Sequence, residues 1–122
     1  MTRRIPLSAA VSLSAAALLF ATQASAHAAL VRSNPAANAT ISAPRAISLT
    51  FNEKLSPAFS GFSLTMSGGM TMKVKTTLSK DHKTITGVPT GRMMAGVYKI
   101  SWHAAAADDG HRTQGVMTFK VK

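Results

Sequence analysis

Beyond residue 26 no stretch of this chain sustains a helical period; apolar and polar residues alternate in short segments broken by turn residues, which restricts the chain to an all-β fold. Ile47-Ser48-Leu49-Thr50-Phe51 and Phe62-Ser63-Leu64-Thr65-Met66 each place every second side chain on one face. Met72 to Leu78 and Thr84 to Val88 flank Ser79-Lys80-Asp81-His82-Lys83, whose polar composition suits a hairpin turn. Val97 to His103 and Thr113 to Val121 follow, and the segment after His27 brings the count to about seven strands, spaced as in a β-sandwich. Tyr98 and Trp102 are expected in the core, with His103 pointing away from the tryptophan. Ser33-Asn34-Pro35 and Ala43-Pro44 are turn punctuation, and no internal repeat or linker interrupts the chain.

The residues before this β-region read as an export leader. Arg3 and Arg4 precede an apolar run from Leu7 to Ala21, and Ala24-Ser25-Ala26 supplies the small residues of a signal-peptidase site. The run falls short of the ~20 residues that span a bilayer, so a cleaved leader is favoured over a membrane anchor. Export leads out of the cytoplasm, to the periplasm; the arginine pair leaves the twin-arginine route open beside the general one. A cut after Ala28 also satisfies the small-residue rule, but the expected cut follows Ala26 and makes His27 the first mature residue. Residues 1–26 are thus expected to leave and residues 27–122 to form one small domain of 96 residues.

With no cysteine, that domain cannot be stapled by disulfides and has no thiolate for zinc or redox chemistry. The formal charge falls from +10 to +8 when Arg3 and Arg4 leave, and the remaining cations are scattered along the chain. Scattered charge does not build a nucleic-acid stripe, so none is expected as a partner; outside the cytoplasm it suits solubility, anionic envelope surfaces or an acidic protein. A terminal His27 has a further property. Its free α-amine and its imidazole Nδ1 can close a six-membered chelate on one ion, and nitrogen donors in a plane favour Cu(II).

Several stretches then match one known family across essentially the whole chain after residue 26. They are His27-Ala28-Ala29-Leu30-Val31, Ser33-Asn34-Pro35-Ala36, Leu49-Thr50-Phe51-Asn52-Glu53, Gly96-Val97-Tyr98 with Trp102, and Asp109-Gly110-His111 with Gly115. Together they resemble the CopC copper-resistance proteins. The resemblance implies a periplasmic copper carrier with a seven-stranded Greek-key β-sandwich, cupredoxin-like (Ig-like) in topology. It also implies a Cu(II) site on the mature N-terminal histidine, completed by an Asp-x-His motif that here falls on Asp109 and His111. Gly110 between them permits either a strand or a tight bend, and Asp108 is an alternative oxygen donor. Glu53 matches a family position near the copper site, a candidate outer ligand, and is equally suited to be a solvated strand-end acid. Arg112 stands where the family commonly has proline, and a cation there would oppose cation binding.

A second, softer site is a candidate for Cu(I). Met66, Met70 and Met72 flank Ser67-Gly68-Gly69, and thioethers select Cu(I), although methionine also serves as ordinary core filling. Met93 and Met94 are unplaced by sequence, and His82 and His103 lack a partner at ligand spacing.

The expected function is therefore copper carriage or sequestration in copper resistance or homeostasis, by a monomer. The resemblance implies transfer to an inner-membrane copper transporter or a periplasmic multicopper oxidase. Two other classes compete. An N-terminal-histidine copper oxygenase would need an open coordination position and an aromatic-rich substrate face, whereas only 6% of this chain is aromatic. A metal-free structural or adhesive sandwich domain would follow if His27 were removed. Four acidic residues in no acid/base arrangement, and no Ser-His-Asp order, point away from an enzyme.

Overall fold

The computed structural model describes residues 27–122; the expected leader, residues 1–26, and its cut after Ala26 lie outside the described residues. Nine strands form in the order β1 (Leu30–Asn34), β2 (Thr40–Ile41), β3 (Ile47–Phe51), β4 (Gly61–Met66), β5 (Thr71–Met72), β6 (Val74–Leu78), β7 (Thr84–Pro89), β8 (Gly96–Ala105) and β9 (Arg112–Val121). A 3-10 turn, Pro57–Phe59, precedes β4. The strands make two facing sheets, β1-β3-β7-β6 and β2-β9-β8-β4-β5. Seven of them are five residues or longer, and these are the seven that alternation predicts.

Two departures have local causes. The segment from Met72 to Leu78 reads as one strand, but Met72 pairs with Leu64 in one sheet while Val74 pairs with Pro89 in the other. The chain thus crosses between sheets at Lys73, and one continuous run serves both layers. β2 is only two residues long and joins β9 in parallel, a pairing too short to leave a pattern in sequence.

The inner faces meet in one core. β3 contributes Ile47, Leu49 and Phe51; β4 contributes Phe62 and Leu64; Tyr98, Ile100, Met117, Phe119 and Val121 come from β8 and β9. Burying such side chains contributes about 1.5–3 kcal/mol each, and without disulfides this is the main source of stability. Tyr98 is fully buried, its ring stacked 5.6 Å from Phe119 and its hydroxyl donating to the Met94 carbonyl at 2.6 Å. Trp102 lies edge-on to Phe51 at 5.2 Å and packs against the core, and His103 points outward, as strand alternation requires.

The β6–β7 hairpin is held by Asp81, whose carboxylate accepts from the Ser79 hydroxyl and from the Lys83 N–H at 3.1 Å. The Ser79 hydroxyl, then the Lys83 N–H, holds this acid below its ordinary value. Its contribution is therefore present at neutral pH and lost as pH falls through the lowered folded value.

Two glycines allow aromatic rings to lie against the opposing strand. A Cβ at Gly115 would sit 2.6 Å from Trp102 Cε2, and one at Gly87 would sit 2.9 Å from Phe62 Cε1, whereas Gly91 has open space. Gly115→Ala and Gly87→Ala are each expected to cost about 1–3 kcal/mol in urea unfolding, from forced displacement of the ring. Gly91→Ala is expected to stay within about 0.5 kcal/mol of the parent.

Candidate metal centre

The segment that carries His27 is fixed from two directions. Ala28 is buried, and its carbonyl accepts from the Thr113 hydroxyl at 2.7 Å. The Ala29 N–H donates to the Asn52 side-chain oxygen at 2.8 Å, and the Asn52 N–H returns a bond to the Ala29 carbonyl at 3.1 Å. Asn52 follows β3 and Thr113 lies in β9, so the two residues after His27 are pinned to both sheets. His27 itself is exposed.

Asp109-Gly110-His111 forms the bend that joins β8 to β9, not an extended strand. Gly110 takes a left-handed φ of 70°, which a side chain would resist. Asp109 Oδ1 accepts from the His111 N–H at 2.9 Å, the Gly110 N–H reaches the Ala106 carbonyl at 2.9 Å, and the Ala106 N–H reaches the His111 carbonyl at 3.0 Å. These bonds place His111 just before Arg112 opens β9.

The result is that His27 and His111, 84 residues apart in sequence, meet with ring centroids 4.0 Å apart and planes at 61°. Both are exposed at the same end of the sandwich. Two imidazole nitrogens on one ion, each at about 2 Å, lie within about 4 Å of each other, so this pair suits a shared ion. Among the described residues no three His, Asp or Glu side chains converge on one point. Asp109 approaches through His111's own backbone, with Oδ1 already engaged. Glu53 is half-buried next to Asn52, on the same end.

Arg112 is drawn aside. Its guanidinium carbon lies 4.6 Å from the centre of the Phe59 ring, a cation–π contact that keeps the charge on the outer face of the β8–β9 sheet. His103 lies on that same face, against Gly61. His82 sits in the β6–β7 hairpin at the histidine end, with its carbonyl accepting from the Leu55 N–H at 2.8 Å.

The methionine hairpin is at the opposite end. Met66 and Met72 pack against the core, and Met70 at the tip is 72% exposed. Met93 is buried and Met94 is 66% exposed. Sequence reasoning missed Asn52 and Thr113 as the anchors of residues 28 and 29. Their hydrogen bonds span 23 and 85 residues, and an Asn at a strand end or a Thr in a strand has many commoner uses.

Comparison with known proteins agrees with this architecture. The chain is 41% identical over 119 residues to copper resistance protein C of Pseudomonas syringae pv. tomato, covering 92% of this chain and 94% of that one. It is 40% identical over 114 residues to copper resistance protein C of Xanthomonas campestris pv. juglandis, covering 88% and 89%. Among solved structures it is similar to PcoC, a methionine-rich copper resistance protein from Escherichia coli, with a TM-score of 0.73 and 35% identity over 79% of this chain and 99% of that one. The family model described as CopC domain matches residues 30–122, and the chain belongs to that family.

Proposed function

We propose that this chain is a periplasmic copper-binding protein that begins, once matured, at His27 and carries one Cu(II) on the exposed pair His27 and His111. The observation that supports the reading is the meeting of these two rings at 4.0 Å, on a segment pinned by Asn52 and Thr113. The freed amine and imidazole of His27 would give two nitrogens and His111 a third. Asp109 would turn Oδ2 to the ion while Oδ1 keeps the His111 N–H. Glu53 would serve as an outer oxygen. Such a nitrogen and oxygen set suits tetragonal Cu(II), and with the plane filled by protein donors it favours holding and handing on the ion over oxidative turnover. The leader-like residues 1–26 and the copper-resistance relatives support the compartment and the role, with an inner-membrane transporter or a multicopper oxidase as recipient.

A Cu(I) site on the methionine hairpin is the second reading, favoured by the exposure of Met70 at its tip. It requires Met66 and Met72 to turn their sulfurs outward from the core they pack against. Met70→Leu is expected to weaken Cu(I) competition binding without changing Cu(II) affinity if this hairpin holds the ion.

The decisive comparison is Cu(II) competition binding by protein beginning at His27 and by the same protein with one added N-terminal glycine. The extension keeps both imidazoles and moves the free amine off residue 27. Affinity is expected to fall by more than the roughly 10–100-fold that loss of an outer partner costs, and equal binding by both forms would remove the chelate. His111→Ala is expected to lose comparable affinity. Asn52→Ala, which frees Ala29, is expected to cost about tenfold with the far-ultraviolet dichroism unchanged. Protons compete for the amine and both imidazoles, so affinity in all forms that bind should fall as pH is lowered.

A further inference from the structure

The charges of this molecule are sorted along its length. All four acidic residues of the chain, Glu53, Asp81, Asp108 and Asp109, lie in the loops at the histidine end: after β3, in the β6–β7 hairpin and in the β8–β9 bend. Strand register fixes that end, because Phe51 pairs with Leu30, Leu78 with Ile85 and Ala105 with Arg112, while Leu55 bridges to Ala106. Lys54, Lys80, Lys83 and Arg112 sit beside those acids, so the histidine end is close to neutral.

The opposite end has no acidic side chain at all. It is formed by the β4–β5 hairpin, the crossing at Lys73, the Thr90–Ala95 loop, the start of β8 and the end of β9, as the pairs Met66 with Tyr98 and Gly96 with Val121 establish. Seven exposed cations lie at or beside it: Arg45, Lys73, Lys75, Arg92, Lys99, Lys120 and Lys122. Among them protrude apolar side chains, Met70 at 72% exposure, Met94 at 66% and Val97 at 44%. Arg92 and Lys122 share a hollow with Met93 and Met94, and Lys99 borders the hollow under Ser67-Gly68-Gly69.

The geometry points to this end as a docking surface for an anionic lipid bilayer. Cations attract acidic headgroups within a Debye length, and the protruding methionines and valine enter the boundary between headgroup and acyl chain. A bilayer is the occupant this pattern favours, because the exposed apolar side chains are interleaved with cations, Met94 with Arg92 and Lys122 and Val97 with Lys99, which matches the mixed boundary of charged headgroup and acyl chain. Docked so, the sandwich stands with β8 and β9 across the surface layer. His27 and His111 are then held roughly 30 Å out, facing the compartment.

The test is vesicle flotation of protein beginning at His27. The solved PcoC chain is matched over 99% of its length by 79% of this one, so a sandwich of this extent stands alone. At low ionic strength it is expected to bind phosphatidylglycerol-containing vesicles at least about 50-fold better than pure phosphatidylcholine, and to lose binding as salt rises. Reversing Lys73, Arg92 and Lys122 to Glu is expected to lower that partition by about 50-fold or more, since each cation near the surface contributes about fivefold. Reversing Lys54, Lys80 and Lys83 makes the same change in net charge at the other end and is expected to cost less than about fivefold. Equal losses in the two triple variants would overturn the proposal in favour of net charge alone. Indifference to lipid charge would also overturn it, as would no binding to anionic vesicles, an outcome that leaves the cations to an acidic protein. Cu(II) affinity measured on the first triple variant separates this result from the copper reading, because its three positions lie far from His27 and His111.

Discussion

The ten-residue antiparallel pairing of β8 with β9 is the constraint on which the rest of the molecule depends. It runs the full length of the sandwich, from Gly96 against Val121 to Ala105 against Arg112. Its inner face supplies Tyr98, Ile100, Met117, Phe119 and Val121 to the core, and β4 and β2 attach along its two sides. The bend that closes it is Asp109-Gly110-His111. Half of the histidine pair is thereby a consequence of strand register, and Thr113, one step into the same strand, catches the carbonyl of Ala28 that places the other half.

The long strands were legible where one face is buried more deeply than the other, and the period of two survives in Ile47 to Phe51 and in Phe62 to Met66. The crossing at Lys73 was not. Met72 and Val74 are both partly buried against the same core from different sheets, so the run around them has the composition of a single strand. His27 and His111 stood out in sequence as candidate donors from their chemistry and the family resemblance, and the structure brings their rings together. Whether Asp109 and His111 sit on a strand or a bend could not be read, because Gly110 permits both; the left-handed φ decides it. The effect of Arg112 was also hidden. Its closeness in sequence to His111 suggests repulsion of a cation, whereas Phe59, from a turn more than fifty positions earlier, takes the guanidinium to the outer face.

The ends of the sandwich have unlike chemistry. Imidazoles and carboxylates gather at one, thioethers and unopposed cations at the other, with a packed apolar core between them. This segregation comes from the hairpins, since strands in a two-layer sandwich bury one face and leave the connecting loops to carry polar donors. A cation approaching from solution is favoured at the end where the acids partly cancel the lysines and repelled by the other. The same fold thus orients the molecule before anything touches it.

Trp102 is the chain's single tryptophan, wedged across Gly115 and edge-on to Phe51 at the histidine end of the long ladder. The molecule therefore carries one rigid fluorophore, in the half of the β8–β9 ladder nearer the histidine pair and remote from the methionine hairpin. A paramagnetic ion at one end would dim its emission, and a ligand at the other would leave it bright. Light from a single ring thus reports on the histidine end alone.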